Sequence, residues 1–195
     1  MFLGTKKLYY RGGWIMRKKV RIPLTKQEAR DLKAGEQLLL TGVMYTARDA
    51  AHKRLLEDKF QGKELPMDIE NIAIYYVGPA PARPGQVIGS CGPTTSGRMD
   101  PYAPTLMCWG QTVMIGKGER NQEVIGAMKE YGAVYLTAIG GAGALLSKRV
   151  KKMDLVAYEE LGAEAIYRLE VEDFPVTVTI DAEGNNLYEK VSPIA

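Results

Sequence analysis

The chain has 195 residues, of which 46% are hydrophobic and 25% are charged, and its formal net charge is +3. This composition predicts one globular domain that needs no disulfide bonds, and the small, interspersed charge argues against a nucleic-acid-binding surface. No apolar run approaches the ~20 residues of a membrane span and the N-terminus lacks a signal-peptide core, so we expect a cytoplasmic protein that binds neither membrane nor nucleic acid.

Residues 1–19 are interpreted as an N-terminal extension, and residues 20–195 as a single domain. The extension ends in the basic run Arg17, Lys18 and Lys19. Short runs of like charge are usually solvated, so we predict a solvated tail here rather than a binding patch.

The first half of the domain alternates short apolar runs with helix-start signals. Thr25 and Glu28 form a capping box that predicts a short helix ending near Gly35. Thr46 and Asp49 give the same kind of signal for a helix that runs to about residue 59. Strands are predicted at residues 20–24, 37–41 and 72–77.

The second half continues this alternation and ends rich in strands. After a Pro/Gly-rich loop at residues 78–85, Val87 and Ile88 are strand-like. Helices are predicted at residues 101–109, at 121–131 with Asn121 as the cap, and after Gly140, Gly141 and Gly143. Strands are predicted at residues 113–115, 134–139, 166–171, 176–180 and, beyond a hairpin-like turn at 181–186, at 187–191. The pattern predicts an α/β domain whose sheet is not purely parallel.

The segment from Ser90 to Gly118 concentrates groups that bind small anions. Its glycine-bounded turn can aim backbone N–H groups at a ligand, and it carries adjacent hydroxyls on Thr94 and Thr95. The planar fork of Arg98 and the mobile charge of Lys117 suit a small carboxylate or phosphate.

A nucleotide-binding P-loop is excluded. That loop needs Gly-x-x-x-x-Gly-Lys-Ser/Thr, so that a hydroxyl after the lysine ligates magnesium. Here five residues separate Gly110 from Gly116, and Gly118 follows Lys117 where the hydroxyl should stand.

The two cysteines do not predict a metal site. Cys91 and Cys108 lack a Cys-x-x-Cys spacing, and the only histidine, His52, lies far upstream. We therefore expect two reduced thiols.

Four strings in the chain resemble one family: TARDAAHKR, GPTTSGRMD, MIGKG and EVEDFPVTVTIDAEGN. They are similar to the beta subunit of class I, iron–sulfur-dependent fumarate hydratases and of the related L(+)-tartrate dehydratases, a unit that forms the C-terminal domain of single-chain members. The resemblance runs from about residue 20 to about residue 191 and does not separate fumarase from tartrate dehydratase.

The resemblance implies a layered, swivelling β/β/α domain with a mixed sheet. It also implies a hydro-lyase that interconverts malate and fumarate, or dehydrates tartrate. A [4Fe-4S] cluster would be ligated by a partner alpha subunit and not by this chain. The active unit would then be a hetero-oligomer, with a homodimer as the alternative for the isolated chain.

The resemblance also implies roles for individual residues. Arg48 and Arg98 match the substrate-binding arginines, and Lys117 matches the active-site lysine. Thr94 matches the residue proposed as the base on C3, although an unassisted hydroxyl is a poor base. Apart from the resemblance, Thr95 is interpreted as a turn-stabilising hydroxyl or as a donor to a substrate carboxylate.

Three further polar residues are expected to support the site without contacting the substrate. His52 lies four residues after Arg48, on the same helical face, and is interpreted as a structural group or as one that orients Arg48. Asp49 and Asp100 are interpreted as capping groups or as partners of an arginine.

Two other classes of function stay open from the residues alone. The same pocket could sense a dicarboxylate without catalysis, or the chain could be an orphan swivelling domain that serves in assembly. A neighbouring reading frame of the alpha type would favour the enzyme.

Overall fold

The computed structural model describes residues 2–10, 13–139 and 141–190. Its strands are β1 Phe2–Tyr10, β2 Gly13–Ile22, β3 Gln37–Thr46, β4 Ala73–Tyr75, β5 Val113–Gly116, β6 Val134–Thr137, β7 Val150–Ala157 and β8 Ile166–Ile180. Its α-helices are α1 Lys26–Arg30, α2 Asp49–Phe60, α3 Ala103–Cys108, α4 Gln122–Tyr131, α5 Gly143–Ser147 and α6 Leu187–Lys190. The segments Ser96–Met99 and Glu159–Glu164 form 3-10 helices.

The sheet is mixed, as predicted. Strands β2 to β6 run parallel to their neighbours in chain order. Strand β8 is antiparallel to both β3 and β6, while β1 pairs with β2 and β7 pairs with β8, also antiparallel. Because β8 reaches from β6 back to β3, strands β3, β4, β5, β6 and β8 form a closed ring. The α/β class is therefore confirmed, and the swivelling β/β/α layering stays a prediction.

Side chains along the short parallel strands alternate between two buried clusters, as the two-residue period of a strand requires. Tyr75 and Ile115 join one cluster with residues of β2, β3 and β8. Ile74 and Met114 join the other, against helices α2, α3 and α4. Both faces are covered, which explains why these strands are continuous apolar runs in the sequence.

Two predicted helix starts are confirmed by their hydrogen bonds. Thr25 and Glu28 form the reciprocal capping box at the start of α1. Asn121 Oδ1 accepts the Val124 N–H at 2.9 Å and caps α4. In both helices a local side chain satisfies donors that the first turn leaves free.

The predicted cap at Thr46 is wrong. Thr46 is fully buried at the end of β3, where its hydroxyl donates to the Ala165 carbonyl and accepts the Tyr167 N–H at 3.0 Å. The N-cap residue of α2 is Arg48, which makes no side-chain capping bond. Because β8 approaches β3 here, the hydroxyl is used between strands and is not available to the helix.

The break predicted between residues 171 and 176 is also wrong, since β8 runs unbroken from Ile166 to Ile180. The pairing with β3 shifts register opposite this point, and Asp173 adopts a positive φ of 51°. The Asp173 N–H donates to Thr41 Oγ1 at 3.1 Å. A bulge therefore absorbs the polar segment without ending the strand.

Two other predicted strands do not form among the described residues. Val87 and Ile88 lie in a bend, because no neighbouring strand pairs with them. Residues 187–190 form helix α6, whose first turn is started by Asn186 Oδ1 accepting the Tyr188 N–H at 3.1 Å. Gly140 and Val191, which the predictions also used, lie outside the described residues.

The basic run is not a solvated tail. Residues 17–19 belong to β2 and pair in parallel with residues 37–39. Lys18 lies 3.4 Å from Glu36, and Lys19 lies 3.0 Å from Asp173. Carboxylates on neighbouring segments compensate the charges, which is why the run can form a strand. The proposed boundary at residue 20 stays a prediction.

None of the helices found in the described ranges is long and apolar enough to cross a bilayer.

Gly116, at the end of β5, has no room for a side chain. An added Cβ would lie 2.0 Å from Ser96 Oγ. Gly116→Ala should therefore lower the free energy of unfolding by about 2 kcal/mol, measured by urea denaturation. Gly126→Ala is the matched control, because that position in α4 has open space and should gain about 0.5–1 kcal/mol. A Gly116→Ala variant as stable as the wild type would contradict the close approach.

Candidate active site

The candidate site lies at the carboxyl ends of the parallel strands β3, β4 and β5. Ligands of α/β proteins commonly bind at such an edge, because chain turns there leave polar groups unpaired. Arg48 follows β3, Lys117 follows β5, and the loop of residues 92–98 runs past the end of β4. Three segments far apart in sequence therefore meet at one edge.

Main-chain hydrogen bonds attach this loop to both neighbouring strands. The Thr94 N–H donates to the Tyr76 carbonyl at 2.7 Å, just beyond β4. Thr95 and Lys117 form a parallel bridge, with Ser96 N–H donating to the Lys117 carbonyl at 2.8 Å and Lys117 N–H to the Thr94 carbonyl at 3.3 Å. The bridge places Thr94 and Thr95 next to the lysine that sequence analysis grouped with them.

A chain of hydroxyls supports the same turn from the protein interior. Lys117 N–H donates to Ser96 Oγ at 3.1 Å, and Ser96 Oγ lies 2.9 Å from Tyr135 Oη. Tyr135 Oη donates its single proton to the Gly118 carbonyl at 2.8 Å. Ser96 must therefore be the donor to Tyr135, and the bonds run in one direction. Sequence analysis missed Tyr135, because it lies within a continuous apolar run.

The two arginines are held by carboxylates. Arg98 Nη2 donates to Asp49 Oδ2 at 2.8 Å, and Arg48 Nη2 lies 2.9 Å from Glu164 Oε1. The second oxygen of Asp49 lies 4.0 Å from Arg48 Nε. Asp49 therefore stands between the two arginines, as a partner of the kind that the sequence suggested.

Glu164 is a second residue at this edge that no local pattern in the sequence predicts. It lies in the 3-10 helix before β8, 116 positions from Arg48, and its Oε2 also accepts the Ala50 N–H at 3.3 Å. This carboxylate supplies the cap that the start of α2 lacks locally. Only the return of β8 to β3 brings it there.

The surroundings of the two arginines differ. The Arg48 side chain is 21% exposed, and that of Arg98 is 48% exposed. A Cβ added to Gly78 would lie 2.8 Å from Arg48 Nη1, so the absence of a side chain at this position makes room for the guanidinium. Arg98 is consequently the more accessible fork, while Arg48 is confined by its neighbours.

His52 contacts Arg48 through the main chain. Its Nδ1 lies 2.8 Å from the Arg48 carbonyl oxygen, which can only accept, so Nδ1 carries the proton. The ring is fully buried, edge-on to Tyr76, and burial lowers the pKa of His52 to about 4. His52 is therefore neutral at pH 7 and fixes the start of α2, and its orienting of the Arg48 side chain stays a prediction.

Asp100 and the two cysteines are the remaining residues that the sequence singled out. Asp100 pairs with Arg120 at 2.6 Å and accepts the Asn121 N–H at 2.9 Å, so it is a structural partner of an arginine, as interpreted. Cys91 is buried against Gly143, whereas Cys108 is exposed at the end of α3. The described residues bring no three His, Cys, Asp or Glu side chains together in a metal-binding arrangement.

Lys117 and Thr94 present side chains that are not engaged elsewhere. Lys117 is exposed and Thr94 is half-buried. Neither the Lys117 ammonium nor the Thr94 hydroxyl has a bonding partner among the described residues. Together with the accessible fork of Arg98, they form an edge that can receive an anionic group.

Comparison with known proteins agrees with the strings that carried the resemblance. Residues 12–191 match the family described as Fumarase C-terminus. The chain is 45% identical over 157 residues to "Fumarate hydratase class I, anaerobic" of Escherichia coli (strain K12), which covers 80% of this chain and 29% of that protein. It is 39% identical over 171 residues to "Fumarate hydratase 2" of Leishmania major, covering 87% of this chain and 30% of that protein.

A third relative is similar over nearly its whole length. The chain is 39% identical over 175 residues to "Putative L(+)-tartrate dehydratase subunit beta" of Methanocaldococcus jannaschii, covering 87% of this chain and 90% of that protein. The chain thus spans about 30% of the fumarate hydratases it matches and most of the tartrate dehydratase subunit.

The buried His52 makes the stability of the fold depend on pH. Its pKa is about 4 in the folded chain and 6.5 as the ordinary value, so the unfolded chain takes up the proton first as pH falls. The contribution of His52 to the free energy of unfolding is therefore fully present above pH 6.5 and is lost as the pH falls to 4. The loss is about 3 kcal/mol, at about 1.4 kcal/mol per pKa unit. His52→Gln, which cannot titrate, should lack this loss when urea unfolding is measured from pH 7.5 to pH 4. Parallel pH profiles for the two proteins would contradict a buried neutral histidine.

Proposed function

The chain belongs to the Fumarase C-terminus family, and on this basis we propose that it forms one part of a hydro-lyase that interconverts malate and fumarate. In this proposal it acts as a beta subunit or the equivalent domain, and it binds the carboxylates of a four-carbon substrate. The observation that carries the proposal is the edge where Arg98 and Lys117 meet Thr94 and Thr95.

The charges at this edge suit a dianion. The Arg98 fork is half-exposed and can make two parallel hydrogen bonds to one carboxylate. Lys117 adds a point charge that can follow the second carboxylate. A bound substrate would share Arg98 with Asp49 or displace Asp49 from it. Asp49 therefore competes with the substrate for the Arg98 guanidinium.

Arg48 is assigned a more rigid role. Glu164, Asp49 and the His52 contact at its carbonyl confine the residue before a substrate arrives. A preorganised cation needs little reordering when charge develops on a substrate, and such preorganisation is a major source of catalysis. Thr95, exposed beside the lysine, is assigned a hydrogen bond to a substrate carboxylate.

Thr94 is proposed as the group that takes the C3 proton. The residue is half-buried at the edge, and its main chain is held there by two hydrogen bonds, one to the Tyr76 carbonyl and one from the Lys117 N–H. A threonine hydroxyl needs a stronger base or a cation to accept a proton near pH 7. Lys117 supplies the cation, and a carboxylate from the rest of the enzyme is proposed as the final proton acceptor, becoming a carboxylic acid.

The [4Fe-4S] cluster of the proposed enzyme does not fit the donors of this chain. Two separated thiols and one buried histidine, whose Nδ1 is already occupied, cannot supply a cluster's ligand set. We therefore propose that the cluster is held by the alpha subunit or the equivalent remainder of the enzyme.

Tartrate dehydration is the second candidate function. It is favoured by one observation, namely the similarity to the Methanocaldococcus jannaschii protein over 90% of that protein's length. Both reactions remove water from a hydroxylated four-carbon dicarboxylate, so the same cations would serve. Co-expression of the chain with an alpha subunit without oxygen, followed by assays on malate and on L(+)-tartrate, tests both. Absence of both activities in a folded complex would refute the proposal.

The clamp can be tested at Arg98. Arg98→Lys keeps the charge but removes the fork, so kcat/KM for malate in the reconstituted enzyme should fall about 30-fold, equivalent to about 2 kcal/mol. Arg54→Lys is the matched control, because Arg54 is similarly exposed and pairs with Asp58 and Glu160 away from this edge. Equal kinetics of the two variants would remove Arg98 from the site.

The chemical role of Thr94 predicts a different pattern. Thr94→Ala should lower turnover by orders of magnitude while KM changes little, because the cations that bind substrate remain. Thr94→Ser keeps the oxygen and should lose much less. Exchange of the substrate C3 hydrogen with deuterated solvent measures the step directly. An alanine variant that exchanges at the wild-type rate would place the base elsewhere.

A further inference from the structure

A buried cation lies beneath the candidate site. The Arg120 side chain is 0% exposed and lies between two aromatic faces, 5.1 Å from the Tyr135 ring and 5.5 Å from the Tyr76 ring. Burying an ion pair seldom stabilises a fold more than an apolar residue of the same size would. Its contacts therefore call for an explanation other than stability.

These contacts converge on the loop and on the lysine turn. Arg120 Nε donates to Asp100 Oδ1 at 2.6 Å, and Asp100 directly follows the 3-10 helix that carries Arg98. The Tyr76 carbonyl holds the Thr94 N–H. The Tyr135 hydroxyl closes the hydrogen-bond chain from Lys117 through Ser96 to Gly118.

Tyr135 is the member of this arrangement that reaches the lysine turn. Its ring is clamped on Arg120, so its hydroxyl has little freedom to leave the space between Ser96 and Gly118. Hydrogen bonds that run in one direction polarise and strengthen one another in a buried setting. The bridge to Thr95 and this chain of hydroxyls together hold the Lys117 main chain, so its alignment depends in part on a fully buried side chain.

We propose that Tyr135, held by the Arg120 guanidinium, is a positioning residue that aligns Lys117 with the loop carrying Thr94 and Arg98. This inference rests on the proposed function in so far as Lys117 binds a substrate carboxylate. It assigns Tyr135 a role through the Ser96 and Gly118 bonds and not through contact with substrate.

Tyr135→Phe tests the proposal, because it deletes the hydroxyl and keeps the ring on Arg120. Tyr158→Phe is the matched control: the Tyr158 hydroxyl donates to Asp58 Oδ2 at 2.9 Å, and the Arg54 guanidinium lies 5.5 Å from its ring. Both variants delete a tyrosine hydroxyl beside an arginine: Tyr135→Phe loses the bonds with Ser96 and Gly118, and Tyr158→Phe loses the bond to Asp58. The two tyrosines differ in that only Tyr135 belongs to the Lys117 turn.

In the reconstituted enzyme, Tyr135→Phe should raise KM for the dicarboxylate at least fivefold, and Tyr158→Phe should leave it unchanged. A purely structural loss reduces the amount of active enzyme and therefore kcat, but not KM. Ser96→Ala interrupts the same chain of bonds, so Tyr135→Phe combined with Ser96→Ala should raise KM no further than the larger single effect. An unchanged KM in both Tyr135→Phe and Ser96→Ala would overturn the proposal.

Amide hydrogen exchange of the chain alone separates this inference from the proposed function. The Lys117 N–H should exchange at least tenfold faster in Tyr135→Phe than in the wild type or in Tyr158→Phe. If the wild-type complex is inactive on every dicarboxylate, the proposed function fails, while the exchange result still decides whether Tyr135 positions the turn. An unchanged Lys117 rate would refute the positioning role whatever the activity. If Tyr135→Phe does not fold, Ser96→Ala decides both measurements.

Discussion

The bridge between Thr95 and Lys117 is the constraint on which the candidate site depends. It joins the loop after β4 to the turn after β5 by main-chain hydrogen bonds at 2.8 and 3.3 Å. The approach is close enough that position 116 has no room for a Cβ. Without the bridge, the hydroxyls and the lysine would belong to two independent surface turns.

The electrostatics of the site combine two opposite requirements. Cations that bind an anion repel one another when the site is empty, and Asp49 and Glu164 relieve that repulsion by pairing with Arg98 and Arg48. The partly exposed Arg98 pair is weak in water, and a competing carboxylate can replace it. The less exposed Arg48 pair is the firmer of the two. The carboxylates thus keep the arginines in place without closing the site.

Local chemistry explains which parts of the site were predictable. Arg98 and Thr94 stand in one short string whose glycines and hydroxyls have a direct anion-binding meaning, so their proximity is encoded in the chain. Glu164 and Tyr135 have no such signal. One is an acid among exposed acids before β8, and the other is a tyrosine in an apolar strand. Their contacts join distant parts of the chain, because Glu164 reaches Arg48 and Tyr135 reaches Ser96, each more than 35 residues away.

The same division runs through the fold. The sequence by itself determined the alternation of strands and helices, the caps at Thr25 and Asn121, and the grouping of Thr94 and Arg98 in one loop, because each rests on contacts within a few residues. Only the tertiary structure decided that Thr46 serves a strand pair, that a bulge at Asp173 carries β8 onward, and that β8 closes the ring between β3 and β6. These outcomes depend on strands distant in sequence, whose register is set by packing rather than by local preference.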